Sequence, residues 1–135
     1  MPTVEQIMVA LETTLDTIDG LRASAWVPGQ INPPQAIVGA PPISNYNTAQ
    51  GGSGIEIPMT VTVLTSAVYD RTGQMKLAGY ASPTGDQSIR AAVMADRTLS
   101  GVVHDCLVDS FRPLGLEEVA FHQYFGGLFQ LRVMA

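Results

Sequence analysis

Ile7, Leu11, Leu15 and Ile18 recur at three- and four-residue intervals, and Glu5, Glu12, Asp16 and Asp19 lie off that stripe. An apolar stripe of that period predicts an amphipathic helix. Thr3 stands three residues before Gln6, the spacing at which a hydroxyl and an amide each satisfy a free backbone N–H at a helix start. Gly20, free to take a positive φ, is the expected end. The period then changes to two. Ile55, Ile57, Met59, Val61 and Val63 alternate with Glu56, Pro58, Thr60 and Thr62, which predicts a strand packed on one face. Pro58 lacks a ladder donor, so that end of the strand is expected at a sheet edge or a bulge.

Shorter runs fill the rest. Arg22–Val27 and Gln35–Gly39 read as strands, the first with Trp26 as its one large aromatic. Residues 70–81 and 88–97 have helical patterns separated by the turn-rich Ser82–Asp86. Cys106–Phe111 predicts a strand ending near Pro113. Val119–Tyr124 and Leu128–Met134 predict a hairpin turning at Gly126-Gly127, which would set His122 across from Leu131. Helix, strands, two helices, strands is the order of an α+β domain, an antiparallel β-sheet of about four to five strands with an N-terminal helix and two central helices packed against it.

Five of the nine prolines, Pro28, Pro33, Pro34, Pro41 and Pro42, crowd into fifteen positions around the apolar run Ala36–Val38. Proline fixes its own φ and keeps the preceding residue extended, so both approaches to this strand are stiff. Beyond it, residues 40–54 show no apolar period and end in Gly51-Gly52-Ser53-Gly54, which predicts a long flexible loop or a protruding hairpin.

Composition narrows the possibilities. A chain of 135 residues, 46% hydrophobic, suits one domain over 1–135. Twelve acidic and seven basic residues give a net charge of -5, with the cations scattered, so a phosphate-gripping stripe is not expected. Cys106 is the single cysteine, which excludes an intramolecular disulfide and a four-cysteine zinc site. No run approaches the ~18 apolar residues of a spanning helix, and the first residues lack the basic-then-apolar order of a secretion leader. A soluble chain with no membrane contact is the expectation.

The candidate chemistry is thin. Gly51–Gly54 lacks the spacing of a phosphate loop and precedes a strand. His104, Asp105, Cys106 and Asp109 are ligand types, yet strand neighbours point to opposite faces, so His104 can share a face with Cys106 and not with Asp105. Cys106 is expected in the core. Asp70-Arg71 and Asp96-Arg97, at helix ends, read as solvated charge or as links across a subunit boundary. No catalytic, metal or cofactor site is expected; the alternative is a small hydrolytic or ligand-binding domain using His104, His122 or Cys106.

Four stretches, "IDGLRASAWVPGQINPPQAIVGAPP", "IEIPMTVTVLTS", "YDRTGQMKLAGYASPTGDQSIRAAVMADRTLSG" and "GGLFQLRVMA", lie in an order that resembles the tail terminator, or tail completion, proteins of long-tailed bacteriophages of actinobacteria. The resemblance runs over nearly the whole chain. It implies a non-enzymatic virion protein, assembled in the host cytoplasm, of which six copies form a ring that caps the tail tube and meets the head-side connector. Interface candidates are then Trp26, Pro33, Pro34, Pro41, Pro42, Asn45, Tyr46 and Asn47. DNA would pass through without specific binding, which suits an acidic lumen and makes Asp16, Asp19, Glu56, Glu117 and Glu118 the channel candidates. A different neck component, such as a head-closure or tube-like protein, is the runner-up.

Overall fold

A computed structural model describes residues 3–26, 33–42, 56–66, 71–119 and 122–134. In chain order the elements are α1 (Val4–Leu15), β1 (Arg22–Ala25), β2 (Gln35–Val38), β3 (Glu56–Ser66), α2 (Arg71–Ala81), α3 (Ile89–Ala95), β4 (Asp105–Val119) and β5 (His122–Met134). The fold is α+β.

Helix α1 begins as its sequence requires. Gln6 N–H donates to Thr3 Oγ1 at 3.2 Å and Thr3 N–H donates to Gln6 Oε1 at 2.9 Å, closing the capping box. It ends earlier than expected. Asp16 is the C-terminal cap, and Ile18 and Gly20 (φ +83°) belong to turns that follow, although Ile18 stays buried. Ile7, Met8, Leu11 and Leu15 face the sheet, joined by Leu77 and Tyr80 of α2 and Ile89 and Val93 of α3. All three helices thus cover one face.

The sheet order is β1-β2-β3-β5-β4. Its pairings are antiparallel except β1 with β2, which run parallel in the register Arg22↔Gln35 to Ala25↔Val38. This corrects the expectation of a wholly antiparallel sheet. A parallel neighbour requires the chain to return along β1, and the nine residues from Trp26 to Pro34 can span about 30 Å, against about 13 Å for a four-residue strand.

Toward the helices β3 and β5 present Ile57, Met59, Val61, Val63, Phe129, Leu131 and Val133. Phe111 of β4 lies across from Phe129, ring centroids 4.8 Å apart. The opposite face carries Pro58, Thr60 and Thr62, and Gln130 and Arg132, with a small buried cluster of Ile37, Leu64 and Tyr124 at one end. Pro58 falls where β3 has only β5 beside it among the described residues, as a missing donor demands.

Two expectations for the C-terminal strands fail. Strand β4 does not stop at Pro113; it continues to Val119 through register shifts at Val108/Ser110 and Pro113/Gly115. An edge strand needs no donor on its outer side, so proline is tolerated. Gly126-Gly127 is not a turn but mid-strand in β5, paired to both β3 and β4, and His122 pairs with Val119 and not with Leu131. The glycines serve close approach. A Cβ on Gly127 would sit 2.5 Å from Phe111 Cε1, and one on Gly126 would overlap the Val63 carbonyl.

Candidate subunit interface

The proline-flanked strand is built at both ends as its sequence suggests. Pro33 and Pro34 precede β2 half-buried, joined by a cis peptide bond, and the Pro34 carbonyl accepts the Arg22 N–H at 3.2 Å. At the far end Gly39 N–H donates to the Thr60 carbonyl at 3.1 Å, before half-buried Pro41 and exposed Pro42. The two proline pairs therefore bracket β2 and do not meet. Asn45, Tyr46 and Asn47, with most of the 40–54 loop, lie outside the described residues.

Trp26 sits at the Pro41 end. Its N–H donates to the Val38 carbonyl at 3.1 Å, its φ is +68°, and 50% of its surface is exposed. A left-handed backbone costs a non-glycine residue roughly 1–2 kcal/mol. That backbone is held while the indole faces water. Next to it, Ala25 N–H points away from β2 and donates to Glu12 Oε2 at 3.1 Å. The carboxylate of α1 thus occupies the outer donor of edge strand β1, which disfavours addition of another strand there. The β4 edge is defended differently, by Asp105, Asp109, Arg112, Pro113 and its two bulges.

The acidic candidates do not converge. Asp16 and Asp19 are exposed just beyond α1. Glu56 opens β3 opposite Met134 and lies 3.9 Å from Arg132, whose Nη2 also donates to Asp109 at 3.3 Å. Glu56 therefore belongs to a mixed-charge row across three strands. Glu117 and Glu118 pair with Tyr124 and Gln123, some ten residues or about 33 Å along β5 from Met134; their side chains lie outside the described residues.

Cys106 is fully buried, and desolvation, with the Asp105 charge adding to it, pushes its thiol up to about 12. A thiol so protonated is a poor nucleophile at neutral pH. His104 precedes β4 and is exposed, so the two do not share an environment. Among the described residues no group of three or more His, Cys, Asp or Glu is placed to hold a metal ion. The Asp96-Arg97 pair is not free charge. Arg97 donates two hydrogen bonds to Asp105 at 2.8 and 2.6 Å, and Asp96 accepts from Ser100 N–H and Oγ.

Those bonds frame a feature that periodicity does not announce. Leu99, Ser100 and Gly101 have φ of +49°, +60° and +87°, three left-handed residues in succession. Leu99 is nonetheless buried, and Val103 N–H closes the turn onto the Thr98 carbonyl at 3.1 Å. Between this turn and the outer side of α1 lies an open groove of about 670 Å³, lined by apolar Val9, Ala10, Leu99 and Val102 and by as many polar residues, Glu5 and Ser100 among them. The Ser100-Gly101 dipeptide was the available sign of a turn; nothing local marks the groove.

No protein-family model matches the chain, and no curated protein matches it.

Proposed function

We propose that this chain is a structural subunit of a bacteriophage virion, a tail terminator whose identical copies ring the end of the tail tube, halt its growth and present a surface to the head-side connector. The resemblance implies an antiparallel sheet with helices packed against it, and the α+β fold agrees with that except for the parallel pairing of β1 with β2. Trp26 carries the reading. It is the only tryptophan, half exposed, on a strained backbone pinned to the end of β2 from which the chain leads to Pro41 and Pro42. Tryptophan is enriched among the few residues that dominate binding energy at protein interfaces, and a fixed aromatic loses little freedom on docking. In this reading Trp26, Pro41 and Pro42 form one contact patch, and Pro33 and Pro34 hold the other end of β2. Asp16, Asp19, Glu56, Glu117 and Glu118 are the candidates for a DNA-repelling channel wall.

The test is the mass of the species bound to purified tail tubes. A ring of several copies at the tube end is expected, and Trp26→Ala should remain folded and fail to bind. A lone bound copy, or no binding, overturns the proposal. Labelling at the head-side connector with the tube end empty assigns the chain to another neck ring.

A further inference from the structure

The groove beside α1 and the outer side of α2 carry opposite charge, and the one is concave where the other projects an exposed apolar side chain. Helix α1 contains Glu5 and Glu12 and no cation, whereas α2 contains Arg71 and Lys76 and no carboxylate. On α1, Glu5 and Val9 are four residues apart and so lie on one ridge, with Val9 46% exposed at the groove. On α2, Arg71 and Met75 have the same spacing, and Met75 is 65% exposed, the most exposed large apolar side chain described. Gly79 follows four residues later on that ridge and exposed Ala78 lies beside it, so the ridge beyond Met75 carries no bulky side chain. The ridge of α1 offers an acid and a recess; that of α2 offers a base and a knob.

We infer that α2 of one copy docks in the α1 groove of the next, with Met75 seated against Val9, Leu99 and Val102, and Arg71 meeting Glu5. The inference rests on the self-assembling subunit proposed above and names the contact between its copies. Groove and knob belong to different elements, and a boundary that uses one of each is head-to-tail, so that repeating it closes a ring or grows a filament. A volume of about 670 Å³ exceeds what one side chain fills, given that a cavity of roughly 150 Å³ takes a benzene. A helix ridge is an occupant of suitable size. Methionine suits such a seat because its unbranched, polarisable side chain adapts to irregular walls. The left-handed turn at Leu99–Gly101 acquires a purpose, since it builds the wall opposite α1.

Two pairs of variants test this in the full chain by sedimentation velocity, each first shown to be folded by circular dichroism. Val9→Asp and Met75→Asp alter exposed residues, and each should weaken self-association by about tenfold or more. Mixed in equal amounts they should form a dimer and nothing larger, because the mixture offers one intact groove to one intact knob. Glu5→Lys and Arg71→Glu should each weaken association about threefold, and both in one chain should restore it. Wild-type multimers that survive Val9→Asp and Met75→Asp unchanged overturn this contact and leave the ring standing. A wild-type chain that is monomeric at every concentration and on tail tubes overturns both.

Discussion

Gly126 has no room for a side chain. Its β-carbon would overlap the Val63 carbonyl of the adjacent strand and lie 3.0 Å from Leu64 Cδ2, so relief requires moving backbone. Gly126→Ala is therefore expected to destabilise the fold by about 3 kcal/mol, the upper end of ordinary overpacking, measured by urea denaturation. At Gly127 the obstacles are the Phe111 ring and Leu77 Cδ1, which can turn aside, and alanine there should cost about half as much. Gly20 is a different case: open space surrounds it, but φ of +83° makes alanine cost roughly 1 kcal/mol through the backbone alone. The order Gly126, Gly127, Gly20 separates close approach from backbone strain, and a Gly126→Ala chain as stable as the native one would show that β3 and β5 are further apart than described. The sequence could not make that separation. A Gly-Gly pair serves a tight turn or a crowded strand equally well, and only the long-range pairing of β5 with both β3 and β4 decides it.

Elements whose signals are local were legible. Helix α1 follows from Thr3, Gln6 and an apolar stripe, and β3 from its alternation, because each signal lies within the element itself. The parallel pairing of β1 with β2, the survival of β4 past Pro113 and the groove beside α1 depend on neighbours distant in sequence, and no periodicity encodes them. The start of α3 joins the two kinds. Ser88 caps the helix by accepting Ala91 N–H at 3.0 Å, and its hydroxyl donates to the Ser82 carbonyl while 1% of the residue is exposed. Ser88→Ala leaves both partners wanting in a buried place and should cost about 2 kcal/mol, against about 1 kcal/mol for Thr3→Ala at the exposed cap of α1. Equal losses in thermal or urea denaturation would mean that burial adds nothing to the cap. The end of α3 is tied to β4 by Arg97 and Asp105. The guanidinium's hydrogen bonds hold the Asp105 carboxyl below the ordinary aspartate range. A folded-state value below the unfolded one stabilises the fold above about pH 4, and that contribution is lost as pH falls through the folded value. Arg97→Gln should flatten the acid limb of the stability profile and leave the slope near neutrality unchanged; an unaltered acid limb would remove the pair from the account.

At the scale of the whole molecule, Trp26 makes the proposed association of copies measurable. It is the only tryptophan, so the indole fluorescence of the chain reports one position. Half exposed in the isolated subunit, it should emit near the wavelength of a solvated indole. If Trp26 belongs to a contact between copies, raising the concentration through the association range should shift emission to shorter wavelength in step with mass. Val9→Asp, which blocks the groove without touching Trp26, should hold emission at the monomer position over the same range. Multimers whose emission stays red would place Trp26 away from the joints between copies and leave it for the tube or connector. The logic of the molecule points to the joint. Helices seal one side of the sheet, Glu12 occupies the outer Ala25 donor of β1, and charge, proline and bulges defend β4, so strand addition is discouraged at both edges. If copies associate as proposed, side chains are then the favoured contacts, and among the described residues the exposed ones able to supply large apolar area are Val9, Trp26, Met75 and Met94. If Val9 and Met75 pair across one boundary, Trp26 is the largest exposed apolar side chain left to bury among the described residues.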